Sequence, residues 1–460
     1  MPNRTDRSGP RRLIATTLFC AFAFPLHAQV NPGNIVPNFD RIRVGQVEGL
    51  EGGAYVARTG NGGANWYNPA GLALAPGSSL NASANAYEFT TVRLEGLDRE
   101  FSTGRFQALG TFFAGVIGSP VVRSPRLRLG FSFTRPVLWS PGAVSGQLGG
   151  VDPTGGESLE FYSKVEMDVA IPAIAAGYRL TDRIRVGAGI GMPITTLRAD
   201  NQISNRLVES GVAERTVSTL SLDGQAYQLQ VTGGVQWDLT DRLRAGATIT
   251  SPGLPLWGSS LIAVQDLETV SGTTSDVDFR DASADFQYRL PLRVVAGLAV
   301  TLGRFEVEAD IRHHGSREPF DLFASGERST RISTARDGTS VVTDGAFPTV
   351  REEIDAVTNL ALGVNYGLGG SWVLHGGVFT DRSPVGDPDT SQFQSVDLMG
   401  LGVAVSFGGQ LSGTIGLSSN WGTTEDRGYG PALGGAAGST RVQIRTFNLH
   451  YALSYTFDGG

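Results

Sequence analysis

Phe447-Asn448-Leu449-His450-Tyr451-Ala452-Leu453-Ser454-Tyr455-Thr456-Phe457 decides the fold. Phe447, Leu449, Tyr451, Leu453, Tyr455 and Phe457 fall on one face of an extended strand. Asn448, His450, Ala452, Ser454 and Thr456 fall on the other, because successive strand side chains point to opposite sides. The same two-residue period runs through Leu127-Arg128-Leu129-Gly130-Phe131-Ser132-Phe133-Thr134. It returns at Ile184/Val186/Ala188/Ile190 and at Leu243/Ala245/Ala247/Ile249. It returns again at Phe305/Val307/Ala309/Ile311, whose opposite face carries Glu306, Glu308, Asp310 and Arg312.

Short and long connections alternate between these runs. Thr181-Asp182-Arg183, Thr240-Asp241-Arg242, Gly303-Arg304, Leu368-Gly369-Gly370-Ser371 and Gly408-Gly409-Gln410 are tight turns. Long polar stretches occupy 136–158, 197–218, 251–285, 313–354, 382–394 and 420–440. Outer-membrane barrels pair short periplasmic turns with longer extracellular loops. This reading predicts 14 strands, near 79–93, 104–117, 126–138, 158–180, 184–197, 219–239, 243–250, 286–302, 305–313, 355–367, 372–381, 395–407, 411–420 and 441–457. Pro172 inside the fourth predicts a bulge or break there. The fold class is all-β: a 14-stranded antiparallel transmembrane β-barrel with an N-terminal plug, or hatch, segment.

Composition agrees. The 460 residues include 62 glycines, only 18% are charged, the net charge is −7 and the mean hydropathy is −0.05. Lipid-facing and lumen-facing residues alternate in a barrel, so its average hydropathy is unremarkable. Past the leader there is no apolar run of the roughly 18 residues that a membrane helix needs. A soluble sandwich or propeller is the competing fold, but no short propeller-type repeat is evident. Mild acidity argues against nucleic acid.

Residues 1–28 read as a signal peptide. Arg7, Arg11 and Arg12 precede an apolar core, Leu13 to Phe24, and Leu26-His27-Ala28 resembles a cleavage site before Gln29. The Arg11-Arg12 pair alone is a weak pointer to a twin-arginine route. Cys20, the sole cysteine, lies in this leader, so the mature chain is expected to lack thiols and disulfides. Residues 79–457 form the expected barrel and 29–78 the expected hatch. The aromatic last strand resembles the signal read by the barrel assembly machinery, although Asp458-Gly459-Gly460 follow Phe457.

Gly45-Gln46-Val47-Glu48-Gly49-Leu50, Gly52-Gly53-Ala54 and Trp66-Tyr67-Asn68-Pro69-Ala70-Gly71-Leu72-Ala73 together resemble the N-terminal hatch of the FadL family. Ile171-Pro172-Ala173, Ala176 to Arg183, Leu290-Pro291, Gly363 to Tyr366 and Asp381-Arg382-Ser383-Pro384 are similar in style and order. The resemblance implies a monomeric outer-membrane transporter of Gram-negative bacteria. Its ligands would be hydrophobic compounds, long-chain fatty acids or aromatic hydrocarbons. They would be captured at the loops and pass a movable hatch, leaving sideways through the wall. Ala57-Arg58-Thr59-Gly60-Asn61-Gly62-Gly63 departs from the family, which usually carries acidic residues there. Lys164 is the only lysine, so a ligand carboxylate would have to meet an arginine.

The candidate hatch residues are Trp66, Tyr67, Asn68, Pro69, Ala70 and Gly71. Asn68 and Pro69 read as a tight turn that seats the plug, with direct ligand contact as the alternative. Leu254, Leu256 and Trp257, and Phe320, Leu322 and Phe323, are apolar where polar loops are expected. They read either as a ligand site or as loop packing, with Leu138 and Trp139 at its rim. His313 and His314 cannot share a strand face, so no metal is assigned to them. Asp276, Asp278, Asp281 and Asp285 lack calcium-loop spacing and read as solvated charge or cation bridges to lipopolysaccharide. No nucleophile-elbow motif is present, and neither cofactor nor catalysis is expected. The rival functions are a general diffusion porin and a structural or adhesive surface protein.

Overall fold

The computed structural model describes residues 34–457 apart from 97–100, 119–120, 153–154, 210–211, 348, 388–390, 392 and 427–439. The expected leader and the last three residues lie outside the described residues. The wall begins with β1 (Ser79–Glu95) and β2 (Phe101–Ile117). The third stave is β3 (Leu127–Trp139) continued by β4 (Val144–Asp152), and the fourth is β5 (Gly155–Arg179). The fifth is β6 (Ile184–Gly191) with β7 (Ile194–Glu209), the sixth β8 (Val212–Asp238), and the seventh β9 (Leu243–Thr250) with β10 (Leu254–Val270). The eighth is β11 (Thr273–Phe286) with β12 (Arg293–Leu302), and the ninth β13 (Phe305–His314) with β14 (Arg317–Ala324). A hairpin of β15 (Arg328–Thr334) and β16 (Ser340–Ala346) precedes the tenth stave, β17 (Val350–Ile354) with β18 (Val357–Gly369). The last four are β19 (Trp372–Asp381), β20 (Leu398–Gly408), β21 (Leu411–Glu425) and β22 (Arg441–Thr456).

These 14 antiparallel staves close on themselves. β22 pairs with β1 from Ser79↔Thr456 to Glu95↔Arg441. The expected strand count therefore stands.

Burial is inverted relative to a soluble protein. On β13, Phe305 and Ile311 are 48% and 49% exposed, whereas Glu308 and Asp310 are 0% and 3% exposed. Apolar side chains face outward and charged ones face the lumen. This is stable only if the outer surface meets lipid, because exposed apolar surface in water is unfavourable. Aromatic pairs mark both borders of the outer band. Phe305–Tyr366 and Trp372–Phe407 stand at the short-turn end, with ring centroids 4.4 and 5.1 Å apart. Tyr87–Phe106 and Tyr227–Trp257 stand at the other border, 5.0 and 4.5 Å apart. On β8, ten residues separate Tyr227 from Trp237. At about 3.3 Å per residue and a tilt of about 40°, that is ~25 Å, the height of an outer-membrane band.

Several staves break at one level, near Pro136, Pro193, Pro252 and Pro291. Proline cannot donate to the ladder, so each sits at a bulge or gap. Pro172 behaves differently from the expected break. β5 runs through it without interruption, opposite Phe133. The irregularity moves to the neighbours: β3 shifts register between Thr134 and Val137, and Met192 N donates to the Pro172 carbonyl at 3.0 Å.

Above this level the structure corrects the sequence reading. Most of 136–158, 197–218, 251–285 and 313–354 is strand rather than loop. These strands form a crown that continues the wall beyond the upper aromatic border. Their inner faces are apolar: Leu197 and Ala199, Leu220 and Leu222, Ile262 and Val264, and Val277 and Phe279 are all buried. Their outer faces are polar because water replaces lipid there, so the strong apolar alternation of the membrane strands is lost.

One seam is incomplete. β2 pairs with β3 only from Phe112↔Thr134 to Ile117↔Leu129. Beyond it, side chains bridge the gap. Arg105 meets Glu166 at 3.0 Å, and Phe101 sets its ring edge-on to Phe161 at 5.1 Å.

Leu298, 55% exposed, faces out from the middle of β12. Leu298→Arg is expected to cost about 2–4 kcal/mol in equilibrium refolding into lipid vesicles, against about 0–1 kcal/mol for Trp257→Arg at the border. Equal costs would show that this band does not lie in lipid.

Candidate functional site: the lumenal segment and its cavity

Residues 34–75 fill the membrane-level lumen. Val44, Leu50, Ala54, Val56, Ala57, Asn68 and Leu72 are each no more than 1% exposed. The wall admits this backbone because its inward positions are glycine. A Cβ on Gly377 would lie 2.5 Å from Gly52 N, one on Gly402 2.5 Å from Leu50 O, and one on Gly363 2.6 Å from Glu51 O. Across the lumen, a Cβ on Gly177 or Gly187 would lie 2.6 Å from Pro69 O. No real Cβ tolerates such contacts. Register aligns these positions into a belt: Gly363↔Gly377↔Gly402 on one side, and Gly177↔Gly187↔Gly234 on the other. Six of the 62 glycines make up these two arcs.

The Trp66–Gly71 stretch lies on the second of these arcs. A helical turn, α1 (Ala64–Tyr67), leads through Asn68 into a 3₁₀ turn, Pro69–Leu74. Asn68 is fully buried and ties three backbones together. Its Oδ1 accepts from Ala70 N at 3.1 Å, and its Nδ2 donates to Val56 O at 2.8 Å and to Val235 O of the wall at 2.9 Å. Pro69 starts the second turn, where its missing N–H costs nothing. Tyr67 Oη donates to Val44 O at 2.7 Å. Ala70 and Gly71 are buried, and Trp66 is partly buried.

The charged face of β13 clamps the same segment. Glu308 accepts from Ala57 N at 2.6 Å and from Arg58 Nε at 3.0 Å. Asp310 accepts from Tyr55 N and Val56 N at 2.9 and 3.2 Å. Arg312 reaches Asp40 at 3.0 Å, and His314 approaches the same oxygen at 3.3 Å. Arg58 also pairs with Glu51, which approaches His375 Nδ1 at 2.5 Å. The unusual Arg58 of the sequence is thus a cation placed among wall carboxylates. Burial pushes the Asp40 carboxyl up, but Arg312 and His314 outweigh it and hold it well below the usual range. His313 faces the other way, against Thr358 at 3.0 Å, as strand alternation requires.

A cavity opens where the staves break. Phe39, Trp66, Pro136, Val137, Val169, Ile171, Tyr288, Pro291, Arg293 and His314 are among its lining residues. Pro37, Phe39 and Tyr288 also line a narrower space above it, with Leu197, Leu322, Ile354 and Phe393. Together they make a mainly apolar column from crown to mid-barrel.

The candidate ligand residues separate. Leu322 lines the upper space. Phe323 is fully buried against Phe286, 4.7 Å between centroids, and buried Phe320 lies beneath Arg289. Trp139 is buried, with Nε1 donating to Ile35 O at 2.9 Å, and Leu138 beside it is half-buried. Leu254, Leu256 and Trp257 are 60%, 43% and 59% exposed and are absent from both linings. Trp257 stacks on Tyr227 in the upper aromatic border, so this patch faces outward rather than toward the cavity. Of the acidic cluster, Asp281 accepts from Ser283 and Ser325, while Asp276 and Asp278 are exposed. No metal-binding group of acidic, histidine or cysteine side chains occurs among the described residues. Sequence reasoning missed Phe39, Tyr288, Arg293 and His314 as cavity residues. The available signal was the Leu290-Pro291 interruption just before a strand.

Arg58→Met would leave Glu51 and Glu308 buried without their cation, at an expected cost of about 3–5 kcal/mol to seating. Amide exchange over residues 45–75 should speed by ~100-fold or more while the wall strands keep their protection. Unchanged exchange would remove the ion cluster from the account.

No protein-family model and no curated protein sequence matches the chain. Solved structures do. The toluene transporter TodX of Pseudomonas putida aligns with 14% identity and a TM-score of 0.58, over 90% of this chain and 98% of that one. The toluene transporter TbuX of Ralstonia pickettii gives 14% identity and 0.54, over 92% and 100%. A Pseudomonas aeruginosa FadL homologue gives 13% and 0.54, over 93% and 100%. With 14 staves closed in the same way along nearly the full length of both partners, the chain has a FadL-like fold.

Proposed function

We propose that this chain is a passive outer-membrane transporter for hydrophobic compounds. The observation that carries the reading is the apolar column ending at a cavity beside a seated lumenal segment. An open polar pore would need a lumen free of chain, yet residues 34–75 occupy it and most are buried. The hydrocarbon transporters that share the fold support the same reading.

In this reading a hydrophobic ligand enters the apolar crown and descends past Leu322 and Tyr288 into the cavity. Burial of its apolar surface drives the descent, at roughly 25 cal/mol per Å². The segment over 29–78 is the hatch: its movement off the glycine belt opens the path. Exit is sideways through the part of the β2–β3 seam left unpaired between Phe112 and the Phe106 border, below the crown. That route lets a hydrophobic ligand enter the bilayer directly instead of crossing water. Pro136, at the bulge beside the seam, lines the cavity, and its carbonyl accepts from Ile42 N of the hatch at 2.8 Å. Movement of the hatch and release of the seam are therefore mechanically linked.

Deleting residues 29–78 should leave a folded barrel with large steady conductance in planar bilayers and altered uptake of oleate and toluene by cells. The intact chain should conduct little. Equal conductance and equal uptake for both chains would refute the hatch, and large conductance by the intact chain would favour a general porin.

A further inference from the structure

We propose that the turn between β2 and β3 is a docking site for anionic phospholipid headgroups in the leaflet at the short-turn end. This goes beyond the transport reading and does not depend on it.

The turn is an ordered structure. Val122 N donates to Gly118 O at 3.0 Å, and Arg126 N to Ser124 Oγ at 3.3 Å. Arg128 folds back on it, donating to the Leu127 carbonyl at 3.0 Å and to those of Ser124 and Pro125 at 3.4 Å. The neighbouring stave holds its far end, where Arg179 N donates to Arg126 O at 2.9 Å. Arg123 and Arg126 are left exposed. Among the described residues, none of these four arginines makes an ion pair. The sequence supplies the reason. No Asp or Glu occurs from Phe101 to Val151, a stretch that carries Arg105, Arg123, Arg126, Arg128 and Arg135, although the whole chain is at −7. The next two turns along the wall balance their charge: Asp182 precedes Arg183, Asp241 precedes Arg242, and Arg183 meets Asp241 at 3.9 Å.

Position selects the partner. Leu127 pairs with Tyr178, which is 39% exposed on the lipid-facing side. Arg126 lies one residue beyond that border, within the headgroup layer, which is about 5–7 Å thick on each side of the hydrocarbon. Val121 and Leu180, 75% and 52% exposed, flank the arginines in sequence. Cations interleaved with exposed apolar side chains suit a surface that is anionic at headgroup level and hydrocarbon just above it. A free anion would leave Val121 and Leu180 in water. A phosphodiester offers two oxygens to a guanidinium fork. Arg179 also donates to Ala73 O of the lumenal segment at 3.3 Å, and the turn joins the two staves that flank the incomplete seam. A bound headgroup therefore steadies the lower end of that seam.

The mature chain is expected to have no thiol, so V121C provides a single site for a bimane label. The labelled chain is reconstituted into phosphatidylcholine vesicles in which a small fraction of the lipid is brominated phosphatidylglycerol or brominated phosphatidylcholine. Bromine quenches the label only on close approach, so the two curves give the relative occupancy of the site. Unboiled gel mobility confirms that each variant keeps its barrel. At low salt phosphatidylglycerol should be preferred by about 5- to 30-fold, roughly fivefold for each exposed arginine. The preference should fall to within about twofold in R123Q/R126Q and in molar salt, and should persist in R242Q, whose turn carries its own acid. Equal quenching by the two lipids, or a preference that survives R123Q/R126Q, would overturn the proposal. An equal loss in R242Q would reduce the effect to overall charge and overturn it as well. So would a preference abolished by dilute glycerol 3-phosphate at constant ionic strength, which would mark a site for a free anion. All of these outcomes leave the transport reading untouched.

Discussion

Everything in the lower half of the molecule depends on one close approach, that of the lumenal backbone to the glycine belt. Main chain from Leu50, Glu51, Gly52 and Pro69 sits where a Cβ on the wall would stand. This contact brings peptide groups of the segment within reach of the inward side chains of β13. Asp310 and Glu308 can then accept from Tyr55, Val56 and Ala57, and the buried charges of Arg58 and Arg312 find carboxylates. Without the belt those charged groups would line a wet pore. With it they hold a segment that occupies the lumen, and the proposed function rests on that occupancy.

The wall is divided by the solvent it meets. Below the upper aromatic border the staves are apolar outside and polar inside. In the crown the arrangement reverses, with an apolar interior that includes Leu197, Leu222, Ile262 and Phe279. The proline-rich breaks lie at this changeover, and so does the cavity. β3 reverses its apolar face through the bulge between Thr134 and Val137, whereas β5 and β8 run unbroken and reverse it in sequence: apolar residues pass from outward Ile174 to inward Val169 and Met167, and from outward Val235 to inward Leu222 and Leu220. The hollow left where neighbouring staves bend becomes a space at the end of an apolar column.

The membrane part of this design was legible in the chain. Period-two alternation, tight turns and the final aromatic strand located every membrane stave, because lipid favours apolar side chains on the outward face. The crown was not legible as strand: its outer faces meet water, so runs such as 197–218 looked like polar loop although Leu197 and Ala199 kept the period. The Trp66–Gly71 motif stood out by its irregularity among strands. Its partners did not, because Gly177, Gly377 and Gly402 carry no side chain to mark a function. The outward Leu254/Trp257 patch misled for a related reason. An apolar cluster in sequence does not say which surface it faces, and here Trp257 completes an aromatic border instead of a pocket.

The central claim is that the segment seated on the belt must leave it for cargo to pass. A Cβ on Gly130 would lie 2.9 Å from Asn65 Cγ, close enough for a disulfide between cysteines at the two positions. The chain's single native cysteine, Cys20, lies in the expected leader, so N65C/G130C would introduce the only pair into the mature protein. Uptake of a labelled hydrophobic probe by cells carrying this variant is then measured before and after reduction. The account predicts no uptake with the tether oxidised and recovery once it is reduced. Equal uptake in both states, with the disulfide confirmed by mass spectrometry, would contradict it.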